Sequence, residues 1–289
     1  MIYDEPLYRP PSEARSLIIQ VTIGCAHNTC TFCSMYKTKK FHVRRMEEIF
    51  ADLDEMADLY GDIPLRIFLA DGDALVLSTD KLLAILGYIR ERFPFVQRIT
   101  SYATVEDILN KSAEELAALH RAGLEMVYVG AESGDPQILK DIQKDVTPDQ
   151  MIRAAALLKE SGIALSLTLI SGLGGRERLK EHALASARLV SAMKPEYLGF
   201  LTLMLEEPAP IIRTIRDGKM TLLGPEDVVT EVRLFLQNVN SDGTTFRANH
   251  ASNYIMLKGE LNKDIPAMLA RLEQVEASGK FRREQSRRL

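Results

Sequence analysis

The sequence predicts an α/β fold: a partial, open parallel β/α barrel of about six strands with a C-terminal extension. Three observations predict it. Short β-branched or apolar runs alternate with segments whose apolar residues recur at helical spacing, six times between residues 16 and 205. Each run ends in small or polar residues before the next helical segment, the order that parallel pairing with right-handed crossovers requires. Six such units are too few to close an eight-stranded barrel. A doubly wound open sheet is the competing arrangement.

The chain begins with an extended lead-in, residues 1–15, carrying Pro6, Pro10 and Pro11. The run 16–23 is short, apolar and β-branched, as a buried strand is. Met46, Ile49, Phe50, Leu53, Met56, Ala57 and Tyr60 repeat at helical spacing, and Gly61 and Pro64 end that helix. Residues 65–70 form the second strand, 81–93 a helix and 98–102 the third strand. Ser112 and Glu115 have the spacing of a capping box, and Gly123 closes the helix they open. Residues 126–131 are the fourth strand. Thr147-Pro148-Asp149-Gln150 caps the following helix, which Gly162 ends. The fifth strand is 163–170, the next helix 177–193 and the sixth strand 197–204. Beyond it the alternation breaks. Pro208 and Pro210 mark a loop, 225–239 reads as a helix, 243–248 as a seventh strand and 264–277 as a final helix. The domain reading is a barrel over 1–205, with a special loop at 24–36, and an extension over 206–289 that covers the barrel opening.

Composition narrows the function classes. With 46% apolar residues the chain can bury a substantial core, and a net charge of −4 gives no general pull toward nucleic acid or anionic membrane. No apolar run approaches the ~20 residues of a membrane span. The stretch MIYDEPLYRP lacks the basic and apolar regions of a signal peptide, so a cytoplasmic location is expected, where thiols stay reduced. The basic tail, Lys280, Arg282, Arg283, Arg287 and Arg288, reads as a solvated segment, with a polyanion contact as the alternative.

All three cysteines, Cys25, Cys30 and Cys33, fall within nine residues, directly after the first strand. An odd count at this density argues against a disulfide and for a metal centre. Thiolates select zinc or iron–sulfur clusters. A closed zinc site needs a fourth ligand, for which His27 or His42 is available. A [4Fe–4S] cluster held by three cysteines keeps one iron without a protein ligand, which opens that iron to chemistry.

The run Cys25-x4-Cys30-x2-Cys33, with Phe32 before the last cysteine, resembles the cluster loop of radical S-adenosylmethionine (SAM) enzymes, whose usual spacing is C-x3-C-x2-C. The first gap here is one residue longer. Other stretches resemble the same family at successive strand ends, closest to its coproporphyrinogen-oxidase-like and elongator-like branch. Asp71-Gly72-Asp73 is similar to the Gly-Gly-Glu motif, implying that Gly72 and Asp73 hold the methionine amino group. Ser101 stands where a hydroxyl often helps hold the cofactor. Gly130-Ala131-Glu132-Ser133-Gly134, with Lys144 and Thr147 beyond it, matches G-x-E-S-G and its continuation, implying that Glu132 grips the ribose hydroxyls. Arg153 is a candidate for the SAM carboxylate. Ile170, Gly172 and Gly175 match part of a glycine-rich motif that packs along the adenine.

What the resemblance implies is a [4Fe–4S] cluster and SAM as cofactors, with a one-electron donor such as flavodoxin or ferredoxin. Reductive cleavage of SAM would give a 5′-deoxyadenosyl radical that takes hydrogen from a substrate the sequence does not name. With no fourth cysteine, an auxiliary all-cysteine cluster is not expected. Tyr36, His250 and Tyr254 are candidates for catalytic roles. Arg247, Asn249, His250 and Asn253 are candidates for substrate binding, or else form a hydrogen-bonded turn that pins the C-terminal segment. Two other classes compete: a non-catalytic haem chaperone on the same fold, and a zinc-stabilised nucleic-acid-binding protein.

Overall fold

Residues 16–23, read as one strand, form two in the computed structural model, which describes residues 3–288. β1 (Leu17–Gln20) and β2 (Thr22–Ile23) are separated by Val21, whose N–H donates to Ala70 O. β3 (His42–Val43) returns antiparallel to β2, so this two-residue hairpin brackets the cysteine loop. Pairs this short carry no sequence signal of their own.

The remaining elements follow in order. α1 (Met46–Tyr60) leads to β4 (Leu65–Ala70), and α2 (Thr79–Arg92) to β5 (Val96–Tyr102). Short α3 (Val105–Leu109) precedes α4 (Ala113–Ala122), which opens on the expected Ser112–Glu115 capping box and ends at Gly123. β6 (Leu124–Glu132), α5 (Pro136–Asp141), α6 (Pro148–Ser161) and β7 (Ala164–Ser171) come next. α6 carries the expected reciprocal cap between Thr147 and Gln150. α7 (Leu179–Met193), β8 (Tyr197–Thr202), α8 (Ile211–Arg216) and α9 (Pro225–Asn238) lead to β9 (Thr245–Ala248), β10 (Leu257–Glu260) and α10 (Ile265–Ser278). The six expected strands are present as β1 and β4–β8, and the seventh as β9. The hairpin, α3, α8 and β10 lie beyond the sequence reading. No described helix is long and apolar enough to cross a membrane.

The chain divides into two units. One takes the chain up to Asn28, Met35–Val129 and Ala156–Leu165; the other takes Thr29–Ser34, Gly130–Ala155 and the chain from Ser166 onward. In the first, β1, β4, β5 and β6 pair in parallel, with Ile18 opposite Phe68 and Ser101 opposite Val127. Ile18, Phe68, Ala70, Met126 and Tyr128 form its inner core, with Tyr102 against Phe68 at 5.0 Å between ring centres. The lead-in folds onto this core. Glu13 is fully buried and accepts hydrogen bonds from Tyr128 Oη, Arg98 and Ser16.

In the second unit β7, β8 and β9 are parallel and β10 adds an antiparallel edge. Phe200, Phe235 and Phe246 stack between β8, α9 and β9. The basic tail is more than a solvated segment. Arg287, 7% exposed, donates to Ser252 O and Leu203 O, and Arg282 donates to the carbonyls of His250, Ala251 and Asn253.

Candidate cofactor site

Chemistry-bearing residues collect where strands end. In the first unit, the turn after β2 delivers Cys25. Gly24 N–H donates to Asp71 Oδ2 at 3.1 Å, and Gly72 N–H donates back to Gly24 O at 3.0 Å. Asp71 is 0% exposed, and its Oδ2 is 2.8 Å from the buried Lys39 Nζ. This ion pair ties the far end of the cysteine loop to the end of β4. Tyr36, also buried, lies against Gly72. A Cβ on Gly72 would stand 2.5 Å from Tyr36 Cε2 and 2.9 Å from Cys25 Cβ, so only glycine fits. Burial, with Tyr102 and Asp71 adding to it, raises the Tyr36 phenol far above its ordinary range.

The longer first gap is folded back by Asn28. Its φ is 24°, its Nδ2 donates to Tyr36 O at 2.8 Å, and its own carbonyl accepts from Lys37 Nζ at 2.6 Å. Asn is one of the few side chains that tolerates left-handed backbone. At the end of β5, Thr100 and Ser101 are 0% and 1% exposed, and neither hydroxyl has a hydrogen-bond partner. Asp73, three residues past the end of β4, is also buried.

In the second unit, Thr31 N–H donates to Ile142 O and Thr31 O accepts from Ile211 N–H, which holds residues 29–34 between α5 and α8. Cys30 is buried; Phe32 and Cys33 are partly exposed. A cleft of about 370 Å³ is lined by Thr31, Ile142, Leu173, Gly174 and Met220 among others.

Glu132 ends β6 with a φ of 67°, a strained conformation for its residue type. Its Oε1 is 3.5 Å from Lys144 Nζ, and its buried Oε2 has no partner. The place of Oε1 is also the place a Cβ on Gly130 would occupy. Burial pushes the Glu132 carboxyl up, and Lys144 opposes the shift. The native state then holds the proton more tightly than the unfolded chain. Its stabilising contribution is complete below the unfolded value near 4.5 and is lost as pH rises through the higher native value. Glu132→Gln is expected to flatten the fall in melting temperature of the ligand-free protein above that pH. Glu231, whose carboxyl burial also raises, contributes to the slope that remains. An unchanged pH profile in the variant would reject the assignment.

Gly172, after β7, donates its N–H to Glu231 Oε1 at 3.0 Å, and Ser133 Oγ lies 2.8 Å from His182 Nδ1. Neither Glu231 nor His182 was singled out in the sequence. The available signal was a lone acid among Val228, Val232 and Phe235 on one helix face.

Arg153 lies on the exposed side of α6. Arg247 and Asn249 are exposed, with Arg247 Nη1 donating to Phe246 O. His250 Nδ1 is 3.0 Å from Ser252 Oγ, and burial with nearby Arg282 lowers its pKa. Asn253 bridges Thr202 Oγ1 and Phe200 O, and Tyr254 Oη meets Glu284 and Arg287. The bonds of Asn253 tie this turn to β8, and those of Tyr254 tie it to the tail. Among the described residues no three Cys, His, Asp or Glu side chains form a preassembled metal-ligand group. None of the three cysteines is in a disulfide.

A model of the radical SAM superfamily matches residues 19–189, more than half of the chain. The chain belongs to the radical SAM superfamily. Its curated relatives include 4′-phospho-dehydrooxetanocin synthase of Priestia megaterium, 26% identical over 65% of this chain and 28% of that protein. The haem chaperone HemW of Escherichia coli K12 is 25% identical over 66% of this chain and 51% of that protein. The chain spans about a quarter to a half of the length of these relatives. Among solved structures, coproporphyrinogen III oxidase (HemN) of Escherichia coli covers 77% of this chain and 52% of its own, with a TM-score of 0.60 and 18% identity. The Elp3 of Methanocaldococcus infernus covers 92% of this chain and 64% of its own, with a TM-score of 0.54 and 13% identity.

The fold is therefore the open α/β barrel of radical SAM proteins, and the superfamily's cofactors are a [4Fe–4S] cluster and SAM, served by an electron donor. The residues fit that pair. Three thiols lie in one loop, buried oxygens of Ser101 and Glu132 have no protein partner, and Gly72 leaves room for nothing but backbone.

Proposed function

We propose that this radical SAM protein is an enzyme that cleaves SAM reductively and abstracts hydrogen from a substrate still to be identified. The observation that carries the reading is Glu132. A buried carboxylate oxygen without a donor is costly, and it stands in the G-x-E-S-G turn of a chain that also carries the three-cysteine loop. In this reading Cys25, Cys30 and Cys33 bind the cluster through thiolates, with Phe32 packed beside them. Binding then assembles the ligand set, as metal sites commonly do. When bound and reduced, the cofactor pair supplies a 5′-deoxyadenosyl radical.

The chain's own residues bind and orient. Gly72 lets backbone approach, and Asp73 supplies a carboxylate for the methionine amino group. Ser101 offers a buried hydroxyl. Glu132 accepts from the ribose diol, and its raised pKa falls toward ordinary values once those donors arrive. Gly172 carries backbone along the adenine. Arg153, exposed on α6, is the candidate for the SAM carboxylate. Tyr36, His250 and Tyr254 remain the candidates for proton or hydrogen transfer, and Arg247, Asn249, His250 and Asn253 those for substrate. A flavodoxin or ferredoxin in the cytoplasm is the proposed electron source.

The test is anaerobic reconstitution followed by incubation with SAM and a strong reductant. Formation of 5′-deoxyadenosine and methionine is the expected result, and its absence in protein with a full cluster would overturn the reading. The similarity to HemW supports a second reading, haem carriage on the same fold. Stoichiometric haem binding without 5′-deoxyadenosine would select it.

A further inference from the structure

We infer that Glu231 is a positioning residue, fastening the two strand-end loops Glu132-Ser133-Gly134 and Ser171-Gly172 so that they present a set surface to SAM. The inference rests on the SAM-binding reading above. Glu231 lies outside residues 19–189, on α9, and no matched motif contains it.

The face of α9 that it occupies is otherwise apolar: Val228, Val232 and Phe235 are buried with it, and Glu231 itself is 0% exposed. Helix packing alone gives no reason for a carboxylate there, since an apolar side chain of similar volume packs as well or better. What the carboxylate does is hold loops. Oε1 accepts the N–H of Gly172 at 3.0 Å and stands 3.8 Å from His182 Nε2. His182 is also 0% exposed, and its Nδ1 is 2.8 Å from Ser133 Oγ.

One tautomer of His182 gives the Ser133 hydroxyl hydrogen an acceptor. Ser133 Oγ accepts the N–H of Asp135 at 3.0 Å, and its own hydrogen goes to His182 Nδ1. The ring proton then sits on Nε2, facing Glu231. At 3.8 Å that contact is electrostatic rather than a hydrogen bond. The same Ser133 is the residue after Glu132, and Gly134 N–H is held by Ser186 Oγ on α7 at 2.9 Å. One acid thus bears on the backbone of the glycine-rich turn directly and on the Glu132 turn through one imidazole. Ser171 Oγ and Glu231 Oε2, both buried, complete the cluster.

Two substitutions separate positioning from packing. Glu231→Met keeps the volume and removes both acceptors; Glu231→Gln keeps an acceptor for Gly172 N–H. SAM binding to reconstituted protein is measured by calorimetry, with iron content and melting temperature as controls, and amide exchange is followed over residues 169–175. Loss of the hydrogen bond that holds the Gly172 turn predicts SAM affinity about tenfold weaker or more in Glu231→Met. Its iron content should match the wild type, its melting temperature should be equal or higher, and exchange at Gly172 should be faster. Glu231→Gln should restore affinity to within about threefold. Wild-type affinity in Glu231→Met would overturn the inference, as would an affinity loss that Glu231→Gln fails to rescue. If the wild-type protein binds no SAM, the cofactor reading falls instead. Exchange over 169–175 then decides the fastening alone: unchanged exchange in Glu231→Met would reject it.

Discussion

Lys39→Met is expected to destabilise the protein by ~3–5 kcal/mol, because it strands a buried carboxylate. Asp71 is 0% exposed, and the Lys39 ammonium 2.8 Å away is its charge partner. Asp4, whose side chain is 52% exposed, also meets Lys39 at 3.3 Å, but water replaces that contact readily. Asp71 Oδ2 also accepts the Gly24 N–H, which a neutral partner change would leave intact. The double variant Lys39→Met with Asp71→Asn, which removes the orphaned charge and keeps an acceptor, should recover most of the loss. Urea denaturation of the four proteins in the cycle measures the coupling. A Lys39→Met protein within about 1 kcal/mol of wild type would show that the pair is immaterial.

The second large effect concerns the cysteines. Changing Cys25, Cys30 or Cys33 singly to alanine should abolish cluster assembly, since two thiolates do not hold a [4Fe–4S] core. Reconstituted wild-type protein should be brown and carry about four irons per chain, and each variant should be colourless and form no 5′-deoxyadenosine. The three variants should fail alike. Cys30 is the most buried of them, so its variant also reports whether loss of packing contributes; a melting temperature unchanged before reconstitution would assign the whole effect to ligation. A wild-type protein that binds one zinc and no iron would defeat the radical reading.

The fold was legible because its pattern is local. α1 and β4 fall on the residues their periodicity marks, and the Ser112–Glu115 box forms as its spacing requires. The cysteine loop, Gly72 and Glu132 stand out in the sequence because each departs from what packing alone would place there. What escaped depends on partners far apart in sequence. Nothing near Lys39 announces that it will meet Asp71, 32 residues on. Glu231 and Gly172 are 59 residues apart. Arg287 reads as one of several tail cations until Leu203 O and Ser252 O are seen to accept from it. Short elements such as β2, β3 and α3 escaped because two to five residues hold too little periodicity to register.

The backbone at Glu132 has a further consequence. In a pleated strand, alternation decides which face each side chain leaves by. A left-handed residue at the last position steps out of that alternation, and the carboxylate tip comes to rest where Gly130 has no methyl. The main chain sets the direction in which this side chain leaves, and a missing atom two residues earlier makes room for its tip. The glycine of the motif is the seat of the acid, and the two act as one structural unit.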